Sequence, residues 1–301
     1  MFFLFCTTCL FFAPRTYSRY IICVNTIFLI SFLILGLIIG SFLNVVLFRY
    51  NTGRTLGGRS KCFSCKRTLH AIDLVPVFSY LAFKGKCRTC KSHISIQYPA
   101  VELLTGVLFA TTYVVYAPLF FINPAYFIYK MSVGLFIMSV LVLITVYDIR
   151  HKIIPDLFAF LFAAVSFAAM FIGVGQYGEV FVYTPSFSHL FAGLVLAFPF
   201  YFLWLVSRGA WMGLGDAKLA LGIGWFLGLG AGATAIIYGF WVGAVVSVAM
   251  LLIQKSRTLR KILKLPDLSM KSEIPFAPFL ILGLLIAFFF QYNMFSVFES
   301  L

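Results

Sequence analysis

The sequence predicts an all-α, polytopic membrane protein with about eight transmembrane helices and one small domain outside the bilayer. Of the 301 residues, 62% are hydrophobic and only 11% are charged, whereas a soluble domain carries about 25% charged residues. The apolar residues also form runs of roughly 20, the length that crosses a bilayer as a helix. Because so few polar residues cannot cover a water-soluble globule, these two observations exclude a soluble fold.

The predicted spans follow one another closely, apart from one polar insertion. Composition divides the chain into an N-terminal extension (1–23), a first transmembrane helix (24–49), the insertion (50–98) and a membrane core (99–301). The expected spans are residues 24–48, 99–116, 126–147, 153–173, 187–206, 217–234, 236–254 and 275–292. Glycines crowd the stretch 222–244, and small residues of this kind let membrane helices pack closely.

The first 14 residues are apolar but too short to span a bilayer. They are compatible with a signal peptide, although no charged n-region opens the run and no clear cleavage site follows it. Cys6 and Cys9 in this run form a single C-x2-C pair, and chance is the better explanation for their spacing.

The net charge of +14 is concentrated between the predicted spans. The insertion carries nine Lys or Arg residues and one acid, Asp73, and segment 255–272 is also basic. Cytoplasmic loops of membrane proteins are enriched in Lys and Arg. We therefore expect the insertion on the cytoplasmic side of the membrane, and with eight spans both termini lie outside.

The loops predicted to lie outside agree with this orientation. Loops 117–125 and 174–186 contain no Lys or Arg, whereas loops 148–155 and 207–216 fall inside with the insertion. Arg15 and Arg19 disagree, because they precede the first span on the outer side.

Two C-x2-C pairs lie in the insertion, separated by 21 residues: Cys62, Cys65, Cys87 and Cys90. Four thiolates with this spacing can close a tetrahedral site around zinc. The reducing cytoplasm disfavours disulfides, and the adjacent lysines and arginines favour thiolates. The pattern predicts structural zinc, with a redox pair or free thiols as alternatives. His70 and His93 could each replace one cysteine as a ligand.

Carboxylates within the predicted spans are the candidate catalytic groups. The chain has only nine acids, and because a charge at membrane depth is costly, an acid there is a functional candidate by default. Three acids stand out: Glu102 early in the second span, Asp148 at the inner end of the third, and Asp216 at the inner start of the sixth.

Asp148 and Asp216 are predicted to lie at the same membrane face on different helices. Two carboxylates so placed can share one proton: the ionised one takes a proton from water and the protonated one donates to a scissile carbonyl. Like charges a few ångströms apart cannot both ionise, which separates their apparent pKa values. The pair predicts intramembrane-type aspartyl proteolysis. Gly213, Gly215 and Lys218 are expected to bind substrate or support the active site.

Each acid also has a structural interpretation. Asp148 could pair with a basic residue beside it, and Asp216 could serve only as a helix N-terminal acid favoured by the dipole. The dipole interpretation is favoured for Asp156, and helix packing or a loop contact is favoured for Glu102. A transporter or ion channel would place carboxylates near the midplane on broken helices. A membrane-anchored nucleic-acid-binding zinc protein would bind DNA in a salt-sensitive way.

The motifs resemble those of the bacterial type IV prepilin peptidases, a family of GxGD aspartyl proteases. Residues 213–216 read GLGD, although presenilin-type proteases share that motif. The ordered set of blocks is more specific, because together with the cysteine loop it covers residues 35–285. The blocks are GSFLNVV (40–46), QYPAVELL (97–104), Asp148 with IIPD (153–156), GLGDAKL (213–219) and PFAPF (275–279). Ala277 departs from the family, which usually has glycine there.

The resemblance implies two activities. One removes the short basic leader of prepilins or pseudopilins, after a glycine, at the cytoplasmic membrane face. The other methylates the new N-terminus with S-adenosylmethionine, and because no methyl-donor motif is visible this activity depends on the resemblance alone. The basic inner face cannot attract a basic leader, so we expect anionic lipids and lateral docking of the substrate helix to supply affinity. No nucleic-acid partner is expected.

Overall fold

The computed structural model describes residues 15–53, 55, 57–174, 179–182, 184–255 and 275–290, which are mainly helical. The chain divides into two compact units, Met1–Val115 and Tyr116–Leu301. The prediction of an all-α polytopic membrane protein is confirmed.

The first unit contains two long helices separated by a small module. Helix α1 (Arg15–Arg49) leads into the cysteine-containing insertion, which has a 3₁₀ turn (Ala71–Leu74) and a short helix α2 (Phe78–Ala82). Helix α3 (Gln97–Tyr116) follows it. The long helices form because their residues are almost all apolar, and in lipid a helix satisfies every backbone polar group internally.

The second unit is a bundle of helices with one hairpin. Its helices are α4 (Leu119–Ile122), α5 (Pro124–His151), α6 (Asp156–Ala169), α7 (Phe187–Ser207), α8 (Leu214–Leu227), α9 (Leu229–Lys255) and α10 (Ala277–Phe290). Strands β1 (Ile172–Val174) and β2 (Val180–Val182) pair antiparallel, partly within a loop that the sequence predicted to lie outside.

Local signals account for where the helices begin and end. Asn123 caps α5 by accepting a 2.9 Å hydrogen bond from the Tyr126 N–H, and α5 ends where Lys152 adopts a left-handed conformation. Gly228, with φ of 81°, separates α8 from α9. The predicted boundary between these helices, at residue 235, was therefore wrong, because an apolar run alone does not show where the chain turns.

Five helical segments are long and apolar enough to cross a membrane: Asn25–Arg49, Gln97–Tyr116, Pro124–His151, Phe187–Ser207 and Leu229–Ile253. The other three predicted spans correspond to α6, α8 and α10, each 14 residues long. A helix of that length extends about 21 Å, less than the roughly 30 Å hydrocarbon core. The basic segment 255–272 lies, apart from Lys255, outside the described residues.

Close helix packing in the second unit confirms the interpretation of its glycines. A Cβ atom added at Gly224 in α8 would lie 2.6 Å from backbone atoms of Gly193 in α7. These two backbones can approach only because neither residue has a side chain. The C-terminal part of helix α8 is thereby held against α7.

Candidate active site

Asp148 lies in the last turn of α5, and its carboxyl group is buried, with 4% of the residue exposed. Its Oδ2 atom accepts a 3.2 Å hydrogen bond from the backbone N–H of Ala277, the first residue of α10. The N-terminus of a helix carries a partial positive charge that favours a carboxylate. The contact with Ala277 therefore fixes the orientation of Asp148 from a helix remote in sequence.

Asp216 lies in the first turn of α8 and is also buried, with 9% exposed. Its backbone N–H donates to the carbonyl of Gly213, which has extended backbone angles and precedes α8. The carboxyl groups of Asp216 and Asp148 interact electrostatically. The structure thus brings the two predicted catalytic acids together from two different helices.

Gly215 is held against the connection between α5 and α6. A Cβ atom added at Gly215 would lie 2.8 Å from the Cβ atom of Ile154, closer than real side chains pack. Gly213 has more space, since its added Cβ atom would meet the Oδ2 atom of Asp216 at 3.6 Å. The two glycines have different roles: Gly215 allows the helices to meet, and Gly213 leaves space beside the carboxyl group.

Lys218 pairs with Asp156. The Lys218 ammonium lies 2.6 Å from the Asp156 carboxylate, whose side chain is 80% exposed. This ion pair joins the first residue of α6 to α8, two residues after Asp216. Because Asp156 is exposed, this ion pair contributes little to stability, but it gives Asp156 a structural partner.

The four cysteines of the insertion form a compact cluster. Their sulfur atoms all lie within 4.8 Å of one another, and the Sγ atoms of Cys62 and Cys90 are 3.8 Å apart. Zinc–sulfur bonds of about 2.3 Å place the sulfurs of a tetrahedral site about 3.8 Å apart. The geometry fits zinc, and among the described residues the cluster contains neither His70 nor His93.

Each C-x2-C pair lies in the same local fold. The N–H groups of Cys62 and Cys87 donate to the carbonyls five residues ahead, at Arg67 and Ser92. Lys66 and Lys91, which follow the second cysteine of each pair, both have φ of 59°. This repeated turn directs two sulfurs from each side toward one point, as a tetrahedral metal site requires.

The electrostatics of the cluster also favour a bound cation. The backbone N–H of Cys65 donates to the Cys62 sulfur and lowers the pKa of that thiol to about 6. The hydroxyl of Ser92 lowers the pKa of Cys90. Although the backbone N–H of Arg67 opposes it, desolvation and the neighbouring sulfurs of Cys62 and Cys90 raise the pKa of Cys65 to about 11. All four sulfurs at this distance can be thiolates only when a positive charge lies among them.

Glu102 holds the loop that connects the two cysteine pairs. Its Oε2 atom accepts a 2.7 Å hydrogen bond from the backbone N–H of Val77, and the residue is buried. Val77 has φ of 61°, which is strained for a β-branched residue. The loop contact favoured for Glu102 from the sequence is confirmed, and the acid anchors the module to α3.

Sequence reasoning missed two groups of the site. The Ala277 N–H was noted only as a departure from the family pattern, yet it binds Asp148. Ile154 was noted only within a motif, yet it packs against Gly215. The sequence signal for both residues was their position within the blocks of the family pattern. Their contacts could not be foreseen, because the residues that they contact are remote in sequence.

Two family models match the chain. Residues 34–116 match the bacterial peptidase A24 N-terminal domain, and residues 135–248 match the type IV leader peptidase family. The second match contains both Asp148 and Asp216. The chain belongs to the type IV leader peptidase family.

Curated relatives of this leader peptidase agree. The prepilin leader peptidase/N-methyltransferase of Bacillus subtilis (strain 168) is 29% identical over 258 residues, covering 85% of this chain and 92% of the relative. The protein of the same name from Neisseria gonorrhoeae is 28% identical over 250 residues, or 72% and 80% of the two chains. That from Stutzerimonas stutzeri is 28% identical over 280 residues, or 84% and 87%. No solved structure matches the chain.

Proposed function

We propose that this chain is a prepilin leader peptidase and N-methyltransferase whose catalytic pair is Asp148 and Asp216. The observation that carries the proposal is the meeting of two buried, electrostatically interacting carboxyl groups from different helices. The leader peptidase family match includes both residues, and the curated relatives bear the name of the proposed activity.

Proteolysis follows from two carboxyl groups that share one proton. The ionised member takes a proton from a water molecule, which attacks the carbonyl carbon of the scissile peptide bond. The protonated member donates to the carbonyl oxygen. The hydrogen bond from Ala277 orients Asp148, and Gly213 places no side chain beside the Asp216 carboxyl group.

The proposed reaction takes place at the cytoplasmic face of the inner membrane. The support is the excess of Lys and Arg in loops on one side of the predicted spans. A prepilin has a basic cytoplasmic leader followed by an apolar helix, so its scissile bond lies where the bilayer begins. The proposed position of the pair at the inner ends of α5 and α8 matches that substrate.

Zinc in the four-cysteine cluster is proposed to be structural. With four sulfurs in a closed arrangement, no coordination position remains for a reacting water. The bound metal would stabilise the module between α1 and α3. S-adenosylmethionine would supply the methyl group for the second activity, and the proposal for that activity rests on the names of the relatives.

Product masses test both activities at once. The purified enzyme in lipid is incubated with a full-length prepilin, with and without S-adenosylmethionine. We expect a mass loss equal to the leader in both samples and one added methyl group only with the methyl donor. A prepilin of unchanged mass after incubation with correctly folded enzyme would refute the proposed function.

A further inference from the structure

Two apolar cavities lie along α9 in the second unit. One, of about 220 Å³, is between α7 and α9. The other, of about 280 Å³, is between α9 and the start of α10. The residues that line them on α9 are Ala233, Ile236, Ile237, Phe240, Gly243, Ala244 and Ser247.

The α9 residues of both cavities form one continuous face. From one turn of α9 to the next, these residues are three or four positions apart. They therefore lie on a single side of the helix. From Ala233 to Ser247 this face extends about 21 Å along the axis. The two cavities are therefore parts of one groove, which we call the α9 groove.

Phe240 joins the two parts of the groove. It lines both cavities, and its ring centroid lies 6.0 Å from that of Phe200 and 5.0 Å from that of Phe276. Each cavity is the size of large apolar side chains and too small for a helix. A helix could lie over the groove only with side chains inserted on either side of Phe240.

One end of the α9 groove lies next to the residue that binds Asp148. Phe276 and Phe279 line the second cavity, and the residue after Phe276 is Ala277, whose N–H binds Asp148. The groove thus begins beside a catalytic carboxyl group and leads away from it along α9. The catalytic end of the groove is thus one residue along the chain from a group that binds Asp148.

We propose that the α9 groove binds the apolar helix that follows the scissile bond of the substrate. This inference rests on the proposed function. Its support is the continuity of an apolar groove with the site of cleavage, since the substrate of a leader peptidase has an apolar helix directly after the cleaved bond. The walls of the groove are apolar apart from Ser247, and bulky side chains inserted there gain burial in packed cavities.

The geometry also sets the direction of the bound helix. The substrate chain passes from the scissile bond at Asp148 to the Phe279 end of the groove and then toward Ala233. Helix α9 runs from Leu229 to Lys255, so its own direction is from the far end toward the catalytic end. The substrate helix lies antiparallel to α9, with its first turns near Ser247.

A filled groove tests the proposal. Ala244 lines the second cavity, and Ala244→Trp should fill it. Val245 is the next residue, is 69% exposed and faces away from the groove, so Val245→Trp is the matched control. We expect Ala244→Trp to lower kcat/KM for a full-length prepilin roughly tenfold or more, mainly through KM, and Val245→Trp to change it less than about twofold. Equal kcat/KM for the two variants would overturn the proposal.

Photo-cross-linking keeps the test independent of folding defects in the Trp variants. A photoreactive phenylalanine analogue replaces Ala244 or Val245 in an Asp148→Asn background, and each protein is irradiated with prepilin in lipid vesicles. We expect substrate adducts from position 244 only, on the first turns of the apolar helix. Adducts of lipid alone at position 244 would show an acyl chain as the occupant and overturn the inference. If the wild type cleaves prepilin in the same vesicles, the proposed function stands in either case.

Discussion

At the scale of single residues, Gly215 lies where α8 packs against the connection between α5 and α6. It lies directly before Asp216, and its backbone packs against Ile154, which lies between α5 and α6. The tolerance of this contact is small, because an added methyl group would approach the Ile154 Cβ atom to 2.8 Å. The position of Asp216 relative to Asp148 therefore depends on a residue without a side chain.

We predict that Gly215→Ala destabilises the protein by about 1–3 kcal/mol, the usual cost of overpacking a filled site, and lowers prepilin cleavage. Gly213→Ala is the matched comparison for stability, because its methyl group would meet only the Asp216 Oδ2 atom and the Gly215 nitrogen, at 3.6 and 3.9 Å. Thermal unfolding of both variants in the same detergent measures the difference. Equal midpoints for the two variants would contradict the packing argument.

The sequence indicated candidate residues for the chemistry, but it did not indicate the contacts that hold those residues in place. Asp148, Asp216 and the four cysteines were predicted because charge in a membrane span and thiols at fixed spacing are conspicuous locally. The Ala277 N–H and the Val77 N–H were not, because each binds an acid through a contact that only the fold creates. Lys218 was predicted to support the site, which stays a prediction; the structure pairs it with the exposed Asp156.

At the scale of structural elements, a contact within the cysteine module and a contact between the module and α3 hold it in place. The Arg67–Asp73 ion pair, at 2.7 Å, ties the first cysteine pair to the 3₁₀ turn. Glu102 in α3 holds Val77 in the loop that follows that turn. Both contacts use a buried carboxylate, and hydrogen bonds to a carboxylate are stronger than neutral ones; of the two, the Glu102 contact is the one that attaches the module to α3.

We predict that Glu102→Ala frees the loop around Val77, whereas Glu102→Gln retains most of the attachment. Glutamine keeps a carbonyl oxygen that can accept the Val77 N–H, but alanine leaves that donor without a partner, at a cost of about 1–3 kcal/mol. Amide hydrogen exchange of residues 75–83 should accelerate strongly in Glu102→Ala and slightly in Glu102→Gln. Unchanged exchange in Glu102→Ala would show that another contact holds the loop.

The metal site gives a second prediction at this scale. Replacing Cys62 and Cys65 together with Ser should release one zinc ion per chain, because two of four thiolate ligands are lost. We expect methylation to fall more than cleavage, since the catalytic acids lie on other elements. Thr89→Ala, at an exposed position between Cys87 and Cys90, is the control and should keep its metal. Purified wild type without zinc would rule out the assignment.

At the scale of the whole molecule, the number of apolar segments was easier to predict than their ends. The predicted spans correspond to helices, but three of these have only 14 residues, and the α8–α9 boundary lies at Gly228 rather than near residue 235. Hydropathy reports burial in an apolar medium and does not distinguish lipid from neighbouring helices. The hairpin of β1 and β2 was missed because its strands have only three residues each.

Membrane orientation is tested by accessibility from outside. In a background in which Cys6, Cys9 and Cys23 are replaced with Ser, an exposed cysteine is introduced at Thr52 or at Val182. A membrane-impermeant thiol reagent added to intact cells should label Val182→Cys but not Thr52→Cys, because residue 182 lies in a predicted outer loop and residue 52 in the basic insertion. Permeabilised cells should label both. Labelling of Thr52→Cys in intact cells would reverse the orientation.

The central claim is that Asp148 and Asp216 act as one catalytic pair. Asparagine keeps the shape of aspartate but can neither carry the negative charge nor transfer the proton, so either Asn variant should stop cleavage, and the double variant should be no worse than either single variant. Asp156→Asn is the control, since Asp156 is exposed and paired with Lys218. The wild-type pH profile should be bell-shaped, reporting the pair as a unit.

The most direct measurement is the rate of leader removal from full-length prepilin by each purified variant in lipid. We predict no detectable product from Asp148→Asn or Asp216→Asn, and most of the wild-type rate from Asp156→Asn. A folded Asp148→Asn or Asp216→Asn variant that cuts prepilin at close to the wild-type rate would contradict the aspartyl mechanism.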